Sequence, residues 1–281
     1  RTELAVVAKD LSGAGDRVID DSGKPVPSQR LSSGDLAFLA TSIPALGGRR
    51  FTITVGPALA PPVPAKVDAT SGKIGNTLVD ALVDPKSGAV TSLRTEASPG
   101  EWVNQAGGSG LNSYVYLPGG NIKDAVGNAP VTLKVKEPGP LVASLVAASP
   151  APGCHNLDRE VRVVAGIDRL EFANIVDKQA VRAKEGVHFG FDFHVPDCET
   201  RINSPWAITR VEKDQIPGAC RNWYSVERWA DVSNATCGVT LATILLPVVL
   251  MLLKAFADVT FAAGHPVRAW LDLIGHPITA L

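Results

Sequence analysis

The chain has few cysteines, a single methionine and no excess of charge of either sign. Its 281 residues include four cysteines, and no two of them have the C-x-x-C spacing of a zinc site. Four scattered cysteines are too few for a disulfide scaffold, which favours a cytoplasmic location. Lys and Arg number 27 against 28 Asp and Glu, a formal charge of −1. No net field therefore draws the chain to nucleic acid or to an acidic membrane surface.

Glycine and proline, by contrast, are plentiful, with 26 and 21 residues spread along the chain. Hydrophobic residues make up 45% and charged residues 20%, which is an ordinary globular composition. The chain opens on Arg1 and shows no targeting pattern, so we interpret it as a fragment. Many short elements joined by turns are expected.

Strand patterns dominate the first 240 residues. Phe51, Ile53 and Val55 alternate with threonines as in a half-buried strand. Residues 78–93 predict a hairpin, because Pro85 and Gly88 suit the turn between two apolar runs. The clearest strand is residues 187–195, whose odd positions are all apolar. With no helical pattern of comparable strength before residue 245, the sequence predicts an all-β sandwich.

A proline cluster divides the chain. Residues 56–66 contain four prolines, which remove backbone donors and stiffen the path. We therefore expect a first domain over residues 1–57, a linker over 58–69 and a second domain over 70–281. Within the second domain, residues 244–281 are the uncertain part and end in a truncation.

Two sets of side chains are candidates for a binding site. Trp206, Asp214 and Arg221 lie in a segment that combines flat apolar rings with hydroxyl partners, as sugar sites do. The alternative is a long connection held by buried Trp rings. Tyr114 stands at a strand beside a Gly-rich bend, where its phenol either points into a cleft or covers a sheet edge.

His188, Asp192 and His194 do not make a metal site by themselves. The two histidines are six residues apart, roughly 20 Å along a strand at about 3.3 Å per residue. They cannot share an ion whose ligands lie about 2 Å away. The sequence therefore predicts no metal site in this chain and favours a solvated strand face.

One run approaches the length of a membrane span. Residues 234–253 contain no charged residue over 20 positions. Pro247, Gly238 and the threonines at 240 and 243 favour a buried strand pair instead. We therefore expect residues 237–253 not to form a membrane helix.

Several segments, in this order and spacing, resemble the α-mannosidases of glycoside hydrolase family 38. They are residues 21–30, 111–118, 174–182, 184–188, 212–218 and 228–234. The resemblance covers most of residues 1–243 and resumes at residues 266–271. It implies the C-terminal β region of such an enzyme, in which a small β-sandwich precedes a large supersandwich like that of galactose mutarotase.

The resemblance also implies a function. The family's catalytic carboxylates and zinc lie in an N-terminal barrel that is not in this sequence, so no catalytic residue and no cofactor is expected here. The chain would support and line the mannoside cleft of that missing barrel, its expected partner, without binding nucleic acid and without entering a membrane. Tyr114 is similar to a family tyrosine that reaches the sugar. The alternatives are a stand-alone carbohydrate-binding β-sandwich and a structural module without a ligand.

Overall fold

The computed structural model describes residues 1–98, 100–219, 221 and 223–234. The chain divides into two compact units, Arg1–His194 and Val195–Leu281. The described residues of both units form antiparallel strands and two short 3-10 turns, Lys9–Leu11 and Ile122–Asp124, and these ranges contain no α-helix. The all-β prediction is confirmed.

The first unit begins with a small sandwich of two three-stranded sheets, ordered β1-β5-β4 and β3-β2-β6. Its strands are β1 (Glu3–Val7), β2 (Arg17–Asp20), β3 (Pro25–Val26), β4 (Ser28–Arg30), β5 (Leu36–Ala40) and β6 (Phe51–Thr54). Val18 and Val26 of one sheet pack against Leu36 and Phe38 of the other. These side chains form the hydrophobic core of the small sandwich.

A larger sandwich follows, in which a six-stranded sheet, ordered β16-β11-β10-β9-β8-β7, packs on a four-stranded sheet, ordered β12-β13-β14-β15. The strands are β7 (Lys66–Asp68), β8 (Lys73–Gly75), β9 (Val79–Val83), β10 (Val90–Thr95), β11 (Leu111–Pro118), β12 (Thr132–Pro138), β13 (Val142–Ser149), β14 (Cys154–Val164), β15 (Leu170–Lys178) and β16 (Glu185–Phe191). Ile74, Val83 and Leu111 meet Leu145 and Val161 across the layer. The order of a small sandwich before a large one agrees with the sequence prediction.

Strand β5 is buried on both faces, and its alternation explains why. Leu36 and Phe38 point into the small core, whereas Ala37 and Leu39 belong to the core of the large sandwich. Successive side chains of a strand point to opposite faces, so one strand serves two cores. The boundary over residues 58–69 stays a prediction.

The described part of the second unit is a three-stranded antiparallel sheet ordered β18-β17-β19. Its strands are β17 (Glu199–Ser204), β18 (Ala207–Arg210) and β19 (Ala230–Ser233). The expectations for residues 237–253 and 244–281 lie outside the described residues.

Candidate functional site

Tyr114, the residue expected at a sugar site, lies inside the large sandwich. It sits on β11 opposite Phe189 of β16, and the two rings meet edge to face at 5.8 Å. Its side chain is 2% exposed. The hydroxyl donates to the Pro152 carbonyl at 2.5 Å and lies 3.2 Å from the Cys154 sulfur. Burial, followed by the contact with Cys154, raises the pKa of Tyr114 well above its usual value, so the phenol stays neutral.

Next to Tyr114, three side chains tie the edges of the two sheets together. Tyr116 of β11 donates to Glu185 Oε2 at 2.8 Å, and Lys178 of β15 donates to Glu185 Oε1 at 2.6 Å. The bond from Lys178, and then the one from Tyr116, lowers the pKa of Glu185 below its usual value. We call Tyr114, Tyr116, Lys178 and Glu185 the tyrosine cluster. Its polar groups bond to one another and to the backbone, an arrangement that fixes strands. A sugar-binding role for Tyr114 stays a prediction.

The structure places the other three candidates in the second unit. Trp206 forms the turn between β17 and β18 with φ of 68°, and its ring is exposed. Asp214 is held by Arg210, whose Nη2 lies 2.6 Å from Oδ1 and whose backbone N–H donates to Oδ2 at 2.8 Å. These bonds lower the pKa of Asp214 to about 2. Arg221 is exposed. The carboxylate of Asp214 therefore forms an ion pair with Arg210. Binding roles for Trp206, Asp214 and Arg221 stay predictions.

An ion-pair network on β17 was not foreseen. Glu199 accepts from Lys213 at 2.8 Å and pairs with Arg201 at 2.9 Å, and Arg201 reaches Asp231 at 3.6 Å. The bond from Lys213 is the main cause of a lowered pKa for Glu199. The closely spaced opposite charges at 199 and 201 were visible in the sequence, but Lys213 arrives from a separate turn.

An open cleft of about 470 Å³ beside the β7–β8 hairpin was also not foreseen. Lys66, Lys73 and Asp80 line it, together with Asn76. The amide of Asn76 donates to the carbonyls of Val164 and Ile167 at 2.7 and 2.9 Å, so it ties the turn after β8 to the end of β14 and the loop that follows. The cleft is thus lined by exposed side chains of both charge signs, Lys66 and Lys73 with Asp80.

The residues considered for a metal are engaged elsewhere or spread out. Asp192 accepts from the Asn104 amide and the Ser109 hydroxyl, both at 3.1 Å. Within the described ranges, no group of three or more His, Cys, Asp or Glu side chains could hold a metal ion.

Comparisons with known proteins point in two directions. The model of the GntP family permeases matches residues 206–281. A gluconate permease of Pseudomonas aeruginosa is 75% identical to this chain over 44 residues, which are 16% of this chain and 10% of the permease. The chain thus spans about a tenth of the length of that curated relative. None of the helices in the described ranges is long and apolar enough to cross a membrane.

The β fold is similar to two solved structures. One is an α-mannosidase from Enterococcus faecalis V583, with a TM-score of 0.50, 11% identity and coverage of 75% of this chain and 32% of that one. The other is a glycosyl hydrolase family 38 protein from Enterococcus faecalis, with a TM-score of 0.50, 13% identity and coverage of 75% and 33%. At these identities the likeness shows the fold alone, a β-sandwich.

The functional part of the family 38 resemblance is therefore wrong. The permease matches overturn the identification as an α-mannosidase region, the role as hydrolase or carbohydrate-binding module, and the partnership with a missing barrel and with mannosides. They also overturn the expectation that a membrane is not involved, because a permease works in a membrane. A shared sandwich carries many functions, so a correct fold led to a wrong function.

Proposed function

We propose that this chain acts at a membrane as part of a permease for a sugar acid such as gluconate. The observation that carries the proposal is the 75% identity to a gluconate permease over 44 residues. The match of the GntP permease model to residues 206–281 supports such a role for the end of the chain. The sandwich of the first unit is then the part outside the bilayer.

The sequence of the matched segment supports membrane entry. Residues 234–253 carry no charge over 20 positions. About 20 apolar residues is the length that a helix needs to cross a hydrocarbon core about 30 Å thick. Pro247 and Gly238 do not oppose this reading, because membrane helices contain more proline and glycine than soluble ones.

The first unit has the surface of a protein part that meets water. Ion pairs lie on its outside, among them Arg1 with Glu3 at 2.7 Å and Arg169 with Glu171 at 2.7 Å. Since the matched stretch is about a tenth of the permease relative, we propose that it contributes to a transport path together with further membrane segments.

The test is alkaline carbonate extraction of membranes from cells that express the full chain. We expect the chain in the membrane pellet. The double variant Leu246→Arg and Leu250→Arg should move it to the supernatant, because a central arginine opposes insertion by roughly 2.5–3.5 kcal/mol. Uptake of labelled gluconate by the same cells tests the solute.

The matched control adds the same two charges elsewhere. Leu46 and Ile122 are exposed in the first unit, so Leu46→Arg with Ile122→Arg should leave the chain in the pellet. Recovery of the unchanged chain in the carbonate supernatant would overturn the proposal, as would equal release of both double variants.

A further inference from the structure

Three of the five tryptophans in the chain fall within residues 206–229, just before the uncharged run. All three are exposed, Trp206 to 104%, Trp223 to 62% and Trp229 to 41%. By contrast, Trp102 of the first unit is half-buried, with its indole nitrogen out of contact with solvent. Among the described tryptophans, the exposed indole rings are thus those in the part of the chain that leads into the run.

Two of these rings lie at the same end of the β18-β17-β19 sheet. Trp206 forms the turn that closes β17 and β18, where Ser204 faces Ala207. The Trp229 carbonyl accepts from the Asn203 N–H at 3.0 Å, which places Trp229 beside the same end of β17. Ile208, opposite Asn203, is also exposed. We call Trp206, Ile208 and Trp229 the tryptophan edge.

We propose that the tryptophan edge lies in the headgroup region of a lipid bilayer. This inference rests on the proposed membrane function and adds the surface through which the second unit meets the lipid. Tryptophan favours the membrane–water interface, because its ring is apolar while its N–H bonds to water and headgroups. An exposed ring in this position exchanges contact with water for contact with lipid.

The chain length between the sheet and the uncharged run fixes an orientation. β19 ends at Ser233, which pairs with Glu199 at the end of β17 remote from Trp206. Trp229 is five residues before Asn234, so the two are at most about 18 Å apart along the chain. Ser233 lies near the bilayer because the proposed membrane run begins at the next residue, and the tryptophan edge lies at the opposite end of β17. Both ends of β17 are therefore near the bilayer, which requires the sheet to lie along its surface.

The charge of this unit indicates which lipids it needs. Residues 195–234 contain five Lys or Arg and six Asp or Glu, and 5 − 6 gives −1. A segment with no positive excess gains nothing from anionic headgroups. Contact through the rings should therefore form on zwitterionic phosphatidylcholine.

The test uses the full chain with phosphatidylcholine vesicles whose acyl chains carry bromine near either the carbonyl end or the methyl end. Bromine quenches nearby tryptophan. We expect quenching about twofold stronger by the shallow bromines than by the deep ones, as for rings at the interface. In a chain that already carries Trp223→Phe and Trp270→Phe, adding Trp206→Phe and Trp229→Phe should remove most of the quenched signal, whereas adding Trp102→Phe should not. Circular dichroism checks that each variant folds.

Each outcome bears on the inference separately from the proposed function. Sedimentation with the vesicles, but with quenching unchanged by Trp206→Phe and Trp229→Phe, would overturn the tryptophan edge and leave the membrane function standing. A chain that does not sediment would refute both. Protection of these rings from an aqueous quencher before lipid is added would assign the edge to a second copy of the chain or another protein partner.

Discussion

Arg159 is a buried cation without a carboxylate, and its replacement should destabilise the first unit. It lies on β14 with no exposed surface. Its guanidinium donates to the Asn112 carbonyl at 2.8 Å, to Asn128 Oδ1 at 3.2 Å and to the Ser87 carbonyl. Burial lowers its pKa to about 10, and no described carboxylate contributes to that shift. Arg159 therefore joins three segments by hydrogen bonds to neutral acceptors.

Two opposing terms decide the size of the effect for Arg159→Met. A pKa lowered from 12.5 to about 10 corresponds to about 3 kcal/mol of unfavourable desolvation, which methionine would relieve. Against this, three acceptors lose their donor, at about 1–3 kcal/mol each, or about 6 kcal/mol together. We expect a net loss of about 3 kcal/mol in the free energy of unfolding.

Urea unfolding of the full chain in a mild detergent, followed by circular dichroism, measures this loss as a lower midpoint at unchanged slope. The matched control is Arg162→Met on the same strand, where a half-buried pair with Glu171 at 2.6 Å is lost while Arg169 still pairs with Glu171. That change should stay within about 1 kcal/mol. An Arg159→Met variant as stable as the unchanged chain would refute the reasoning, since desolvation would then outweigh the three bonds.

Three further predictions concern single residues. Gln29→Ala should lower stability by about 2 kcal/mol in the same assay, because its buried amide makes three hydrogen bonds to the backbone at the start of β13; no change would mean that water replaces them. Gly72→Ala should destabilise by more than Gly23→Ala. Both glycines have positive φ, but only at Gly72 would an added Cβ clash with the Val83 carbonyl; equal losses would contradict this. The carboxyl of Asp214 should titrate by NMR near pH 2. Because its pKa is lowered in the folded state, its contribution to stability is present above about pH 4 and is lost as the pH falls toward 2. A titration midpoint near pH 4 would contradict the ion pair.

Local features of the fold were predictable because their causes are local. The hairpin over residues 78–93 is β9 paired with β10. Asp84 accepts from the Ser87 N–H at 2.8 Å, and Gly88 has φ of 72°, the conformation for which glycine was expected. The turn needs only residues within five positions of one another, so a single sequence contains the whole signal.

Contacts between distant segments were not predictable in the same way. Glu137 accepts from the Ser32 N–H at 3.0 Å across 105 residues, and Arg159 meets Asn112 across 47. The direction of the Tyr114 phenol depends on Pro152 and Cys154, about forty residues later. The alternation of a strand predicts which face a side chain occupies, but not which residue it contacts on that face.

The functional prediction was wrong because it rested on a family resemblance, and a shared β-sandwich does not carry its function. The prediction about a membrane rests on a separate weighting of residues. For residues 234–253, that prediction gives Pro247, Gly238 and the threonines more weight than the absence of charge. That weighting suits soluble proteins. In a membrane helix, proline and glycine are tolerated because neighbouring helices, hydroxyl side chains and water satisfy the freed backbone groups. What a bilayer opposes strongly is charge, and charge is what this run lacks. Judged by that rule, the uncharged run supports a membrane segment at least as well as a strand pair, and its structure stays a prediction.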